Sequence, residues 1–463
     1  MLKNVFRVLF SNISTTAIGL ISSLIFPKIM DVSEYATYQT YLLYLSYITI
    51  LHLGLPTGMF IKYGGKSFSD IDKQKYKGEM RLLLIILTSF SVIAIAAGII
   101  FRKTILVLVG ISILPYDYVK SYLTLLQAWG DFARYSFLNT LGPLAICLIA
   151  ALIYVVSGNL TGSSYVFVYI SVYIILFLLL VYDFLKSTKS EKAVSRIVTE
   201  DNIATIKVGL VICMGNYVST LFHSVDKQYI KIFFDDFEFV MYSFAMSMQT
   251  IMTVLITSLS QPMYFQLAST NMTKESFQRA KELLFIFGSL SSCAFYVCSI
   301  MVKWMLPKYI DSIRVIAIFF AIFPAMAVIS CLYINLYKTR KLTKKYVERL
   351  VTMLVIAIVL DGIVILLKLD YVYLAVATVV AYYIWLVLGS FDFPELKITV
   401  KDCIYLLAYF VTYYIIVKCN FFNDIIGCLL GLVVCVGLAF IFYRSSLLQT
   451  VKIIISNLKR KAE

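Results

Sequence analysis

Apolar residues run along this chain in unbroken stretches of about twenty, such as Leu82–Phe101 and Leu350–Leu367, separated by short segments rich in charge and turn formers. Each stretch is close to the ~20 residues a helix needs to cross ~30 Å of hydrocarbon. The pattern predicts helices near 8–28, 36–60, 80–101, 104–128, 136–157, 162–183, 205–225, 239–261, 280–302, 312–336, 347–367, 371–390, 402–418 and 424–443. The expected fold class is therefore an all-α integral membrane protein of about fourteen transmembrane helices. A β-barrel would need ~10-residue segments alternating apolar and polar positions, and these runs are continuous and longer. The first run carries Asn12, Ser14, Thr15 and Thr16 and is followed by Lys28 and Asp31 instead of a small-residue cleavage site, so it reads as a retained helix.

Composition agrees. Of 463 residues 61% are hydrophobic and 14% charged, against about 45–50% and about 25% in soluble domains. The nine cysteines sit mostly inside apolar runs without metal-site spacing and read as small packing residues. A net charge of +15 changes the picture only through its placement. With the N-terminus in the cytoplasm, 30 Lys and Arg fall on the cytoplasmic side and 10 on the other, Lys120 inside a helix completing the 41. That bias places both termini in the cytoplasm. It also makes the clusters Lys62–Arg81, Lys186–Lys207 and Lys338–Arg349 insertion anchors facing membrane lipids, and argues against nucleic acid as a partner.

An internal repeat organises the spans. Residues 28–38 and 231–242 share the pattern K-I-x-D-x-x-E-aromatic-x-x-Y, with one residue inserted in the second copy. The helix after each copy carries a late proline, Pro56 or Pro262, and then a polar loop leads to Glu79-Met80-Arg81 or Ala280-Lys281-Glu282. Pro115 stands fourteen residues before Trp129, as Pro324 does before Lys338. The chain thus divides into an N-terminal six-helix lobe over 1–185, a cytoplasmic linker over 186–204, a like-oriented six-helix lobe over 205–390, and two further helices with a basic tail over 391–463. Two similar bundles sharing a pathway is the plan of a transporter.

Polar residues inside the spans should then face a common interior. Asn12, Thr15, Thr16, Gly19, Ser22 and Ser23 fall at helical spacing in the first helix, and Asn216, Ser219, Thr220, His223 and Asp226 do so in the seventh. For the Ser and Thr positions, hydrogen bonds between helices are the leading alternative. Asp117 and Lys120 share a face of the fourth helix, either neutralising one another or lining a water-filled cavity. Asp361 reads as an interfacial residue near the outer face.

The residues of the repeat carry a resemblance. Ser23-Leu-Ile-Phe-Pro-Lys-Ile-Met-Asp-Val-Ser-Glu-Tyr-Ala-Thr-Tyr, Leu53-Gly-Leu-Pro-Thr-Gly-Met-Phe, Leu126-Gln-Ala-Trp-Gly-Asp-Phe-Ala-Arg-Tyr, and Asp226-Lys-Gln-Tyr-Ile followed by Met241-Tyr-Ser-Phe-Ala resemble, in order and spacing, polysaccharide-export flippases of the multidrug/oligosaccharidyl-lipid/polysaccharide exporter superfamily. Ala36 stands where that family usually has glycine, and the match covers about residues 5–345. The resemblance implies a non-enzymatic, multi-pass protein of the bacterial cytoplasmic (inner) membrane. It implies movement of undecaprenyl-diphosphate-linked oligosaccharide to the outer leaflet by alternating access, for O-antigen, capsule or a similar polymer, with polymerase or glycosyltransferase partners. No cofactor is expected, and proton or sodium coupling stays open. On that account Lys120 and Lys28 are candidates for the diphosphate, and Asn12, Asn216, His223 and Asp226, with Asp117, for the polar pathway.

Rival readings differ at named features. A peptidoglycan-precursor flippase shares fourteen helices but typically has more cations in its first helix than the terminal Lys28. A cation-coupled multidrug exporter of the same superfamily usually has twelve helices and an acidic site. A major-facilitator carrier should show G-x-x-x-D-R-x-G between the second and third helices, and Gly64–Arg81 lacks it. A membrane glycosyltransferase should place carboxylate pairs in a large outer loop, whereas the longest loops here are basic and cytoplasmic.

Overall fold

The computed structural model describes residues 2–190, 198–269, 272–419 and 423–462, and those residues form helices and their connections, without a strand. Contacts divide the chain into two compact units, Met1–Ser224 and Val225–Glu463. The first holds α1 (Leu2–Ile29), α2 (Val32–Tyr47), α3 (Leu55–Tyr63), α4 (Lys73–Ile100), α5 (Thr104–Ala128), α6 (Phe132–Ser157), α7 (Gly162–Ser187) and α8 (Glu200–Phe222). The second holds α9 (Val225–Phe233), α10 (Asp236–Ser269), α11 (Lys274–Ser292), α12 (Ala294–Met305), α13 (Ser312–Phe320), α14 (Phe323–Val328), α15 (Ile334–Thr339), α16 (Thr343–Leu366), α17 (Val372–Asp392), α18 (Val400–Cys419) and α19 (Asp424–Ala462). The division falls at Ser224/Val225, so α8 packs with the first unit.

Among the described residues, 11 helices are long and apolar enough to cross a membrane, or 13 if each of two bent pairs is one span. The chain is an all-helical, multi-pass membrane protein. The bent pairs correct two helices expected to be continuous. The span expected over 36–60 bends by 55° between residues 50 and 55, where Leu53 and Gly54 take φ of 52° and 73° and Pro56 occupies the first turn of α3. Proline lacks the N–H that an unbroken helix would use there. The span expected over 312–336 bends by 46° between α13 and α14, with Pro324 at the new N-terminus and a π-helical turn over Ile329–Tyr333. The seventh expected helix ends at Phe222 and a separate helix, α9, starts at Val225. The last helix continues past residue 443, with non-helical backbone at Tyr443.

In the first unit α3 crosses α8 at backbone distance. A Cβ on Gly58 would lie 2.0 Å from the Thr205 carbonyl oxygen, and one on Gly209 would lie 2.0 Å from that of Gly54. Small residues are what permit such an approach between membrane helices. Near one end of this crossing Lys62 Nζ bridges Glu79 Oε1 and Asp201 Oδ2, each at 2.7 Å, and Tyr63 donates to Glu79 Oε2 at 2.5 Å.

In the second unit a fully buried ion pair fixes the two additional helices. Lys281 Nζ of α11 lies 2.6 Å from Asp402 Oδ2 of α18, with the side chains 0% and 1% exposed. Asp402 is saturated by the Thr399 N–H and hydroxyl at 2.8 Å and by Tyr443 OH at 2.7 Å. The pair therefore joins α11, the start of α18 and the break in α19. Removing one partner of a buried pair strands the other charge at a cost of about 3–5 kcal/mol, whereas apolar replacement of both is far milder. Lys281→Met should accordingly lower the melting temperature in detergent strongly, and Lys281→Met with Asp402→Leu should recover most of the loss, as read by thermal unfolding of purified protein.

Candidate functional site

The second unit encloses an acidic centre. α9 begins immediately after the break that follows α8, which puts Asp226 in its first turn, where the Lys227 N–H donates to Oδ1 at 2.7 Å. Tyr242 of α10 donates to Asp226 Oδ2 at 2.6 Å. Thr378 Oγ1 of α17 stands 3.1 Å from the same oxygen and 3.0 Å from the Leu374 carbonyl. A hydroxyl has one proton and can also accept. Thr378 can therefore donate to an ionised Asp226, or donate to Leu374 and accept from a protonated one. The geometry accommodates both charge states.

Asp361 is a second buried carboxyl of this unit, on α16, which packs against α9 and α17. It is 2% exposed, Asp226 is 4% exposed, and Asp361 Oδ2 has no hydrogen-bond partner. This corrects the expectation of an interfacial Asp361, because the packing of α16 against α9 and α17 buries that face. Tyr229 secures the contact by donating to the Ile358 carbonyl at 3.2 Å. Two buried carboxylates repel, so the pair calls for a proton or a small cation. Among the described residues, no group of three or more His, Cys, Asp or Glu could hold a metal ion.

The first unit carries a different polar surface. Asp117 is 1% exposed, and its Oδ2 has no hydrogen-bond partner. Lys120, one turn on, makes no ion pair with it; its Nζ lies 5.6 Å from the centre of the Tyr116 ring. The pairing considered from sequence is therefore absent. Tyr116 opens an aromatic row: Tyr116 to Tyr173 at 4.9 Å, Tyr173 stacked on Tyr169 at 4.8 Å, and Tyr169 to Tyr41 at 5.5 Å. Tyr41 OH is hydrogen-bonded to Ser112 Oγ at 2.7 Å. Sequence reasoning overlooked this row. Tyr165, Tyr169 and Tyr173 recur every fourth residue on one face of α7, and that spacing was the available signal.

The remaining expected residues are dispersed. Asn12 and Lys28 are exposed on α1, Asn216 is exposed on α8, and His223 is exposed at the end of α8 with its ring 5.3 Å from Phe222. Of the seven residues expected to line a pathway, Asp226 is the one built into the acidic centre. Ser11 and Thr15 of α1 make interhelical contacts: Ser11 Oγ is 3.1 Å from Thr140 Oγ1, and Asn139 Nδ2 donates to Thr15 Oγ1 at 3.3 Å.

No protein-family model matches the sequence, and no curated protein matches it. By structure the chain is similar to a lipid II flippase MurJ in an inward closed conformation, with a TM-score of 0.69 and 16% identity over 96% of this chain and 99% of that one. It is also similar to an outward-facing multidrug resistance MATE family transporter of the MOP superfamily, with a TM-score of 0.50 and 11% identity over 89% of this chain and 97% of that one. At these identities the likeness carries the fold. The chain shares the all-helical membrane fold of these two structures.

With a proton or a monovalent cation held by the carboxyl pair, stability should rise with the logarithm of that ligand's concentration once it exceeds the dissociation constant. Melting of the wild type in detergent should therefore depend on pH or on sodium concentration, and Asp361→Asn should flatten that dependence while leaving the protein folded. Equal dependence in wild type and variant would remove the pair as the binding site.

Proposed function

We propose that this protein is a flippase for a lipid-linked saccharide, moving undecaprenyl-diphosphate-linked oligosaccharide from the cytoplasmic to the outer leaflet by alternating access, in surface-polysaccharide assembly. The observation that carries the reading is the end-to-end likeness to a flippase structure, extending over 96% of the chain and so including α18 and α19. Two features of the first unit support it. Lys120 stands beside a row of tyrosines, a cation next to hydroxyl-bearing aromatic faces. That combination suits a head group with an anionic diphosphate and sugar rings, which would otherwise lose its hydrogen bonds in hydrocarbon at several kcal/mol per group.

In this proposal Lys120, with Lys28, takes the diphosphate, while Asn12, Asn216, His223 and Asp117 belong to the polar pathway. Asp226 with Asp361 serves as the coupling site for protons or sodium. The lipid tail stays in the bilayer, and no covalent bond is made or broken. Export of the peptidoglycan precursor is the second reading, favoured by the same structural likeness. Presenting both lipid-linked substrates to the purified protein separates the two.

Reconstituted into liposomes with a fluorescent undecaprenyl-diphosphate oligosaccharide, the wild type should move label between leaflets, and a protein-independent rate would overturn the proposal. A charge-assisted contact contributes about 1.5–3 kcal/mol, about 10- to 100-fold in affinity. Lys120→Ala should weaken transport by that order, with protein level and melting temperature unchanged.

A further inference from the structure

A cleft of about 1020 Å³ opens in the second unit between α12, α13, α17 and α18. None of the residues used above as a pathway or coupling site lines it. Its walls are apolar, with Ala317 of α13, Val376 and Val379 of α17 and Phe410 of α18. The Tyr413 hydroxyl, which reaches the same wall, is already spent on the Ala317 carbonyl at 2.8 Å and ties α18 to α13.

The charged lining residues all stand at helix ends. Lys303 is in the last turn of α12, Asp311 and Arg314 are at the start of α13, Lys418 is in the last turn of α18, and Asp424 opens α19. The Lys and Arg distribution along the chain assigns these ends to the outer side. From Lys303 back to Phe295, and from Lys418 back to Phe410, the walls run about 12 Å along their helices. That is close to half of the ~30 Å of hydrocarbon. The cleft thus has an apolar interior about one leaflet deep and a charged mouth at head-group level. A water-soluble ligand would leave its polar groups unpaired against such walls, whereas an acyl chain below a polar head matches both parts.

The mouth also selects the head. Lys303 is bound to Asp424 at 2.7 Å, and Ser299 donates to the same carboxylate at 3.2 Å. Lys418 donates to Tyr414 OH at 3.0 Å. The side chains of Arg314 and Asp311 are exposed, and among the described residues neither makes a hydrogen bond or an ion pair. They stand three residues apart, a guanidinium and a carboxylate side by side. Of the charges that adjoin the mouth without lining it, Lys308 and Lys368 are matched by Asp370 and by Glu238 in the first turn of α10, so both signs stay balanced. A purely anionic head would satisfy Arg314 and set like charge against Asp311. A quaternary ammonium has no N–H to give the carboxylate. A phosphate joined to a primary ammonium meets both residues, the phosphate on the planar fork of the guanidinium.

We propose that this cleft holds one phosphatidylethanolamine molecule of the outer leaflet, its acyl chains between α13, α17 and α18, its phosphate on Arg314 and its ammonium on Asp311. It is a resident lipid that braces α18 against α13. The site stands independently of what the protein transports.

Full-length protein stripped of lipid in detergent is titrated with phosphatidylethanolamine, phosphatidylcholine, phosphatidylglycerol and undecaprenyl phosphate, and bound lipid is counted by native mass spectrometry. One phosphatidylethanolamine should bind saturably, about tenfold or more tighter than the other three, the order of one charge-assisted contact. Arg314→Gln should weaken it about 10- to 100-fold. Asp311→Asn should bring phosphatidylethanolamine level with phosphatidylcholine. Val376→Trp, at an exposed position on the wall, fills the cleft and should abolish binding. All three variants should melt at the wild-type temperature in lipid-free detergent; if Val376→Trp does not fold, the two variants at the mouth decide alone. Equal affinity for the four lipids, tighter binding of phosphatidylglycerol or of undecaprenyl phosphate, or a phosphatidylethanolamine affinity unchanged in Arg314→Gln and Asp311→Asn, overturns the proposal.

Discussion

Hydrocarbon offers no hydrogen bonds, so every polar group in a membrane-spanning segment must find its partner within the protein or be held ready for something that moves. That constraint sorts the buried charges of this chain into two kinds. Asp402 is saturated by Lys281, Thr399 and Tyr443 and fastens helices together. Asp361 and Asp117 are as deeply buried, yet each has an oxygen with no partner. The Asp402 network is complete, whereas Asp361 and Asp117 each keep an open oxygen.

The internal repeat shows how one architecture acquired two chemistries. Counting back five residues from Lys28 and from Lys231 gives Ser23 and Asp226. Ser23 closes on its own helix, donating to the Gly19 carbonyl at 2.9 Å. Asp226 instead collects Tyr242, Thr378 and a backbone N–H. The matching tyrosines diverge in the same way, because Tyr38 packs on Phe26 and Tyr165 while Tyr242 is bound to a carboxylate. The first unit became an aromatic, hydroxyl-lined surface, and the second an ionisable one.

The backbone breaks carry the functional side chains. The interruption after α8 frees Asp226 to sit at the start of a new helix with its carboxyl on the Lys227 N–H, a position that favours negative charge. The bend before α3 lets Gly54 and Gly58 approach α8 at backbone distance. A straight helix could provide neither. Proline and left-handed backbone at Leu53 and Gly54 were visible as residues, but their result depended on what the bent segment packs against.

The sequence by itself determined the all-helical membrane class, the repeated motifs and the presence of Asp117, Lys120 and Asp226 among apolar runs, because hydrophobic run length, motif spacing and charge placement are local properties read one residue after another. Only the tertiary structure decided that Asp361 is buried where α16 packs on α9 and α17, that Asp117 and Lys120 stay unpaired, and that tyrosines from α2, α5 and α7 form one row. Those facts turn on which helix faces meet, and a face that meets a partner and a face that meets lipid look alike when the surrounding solvent is itself apolar.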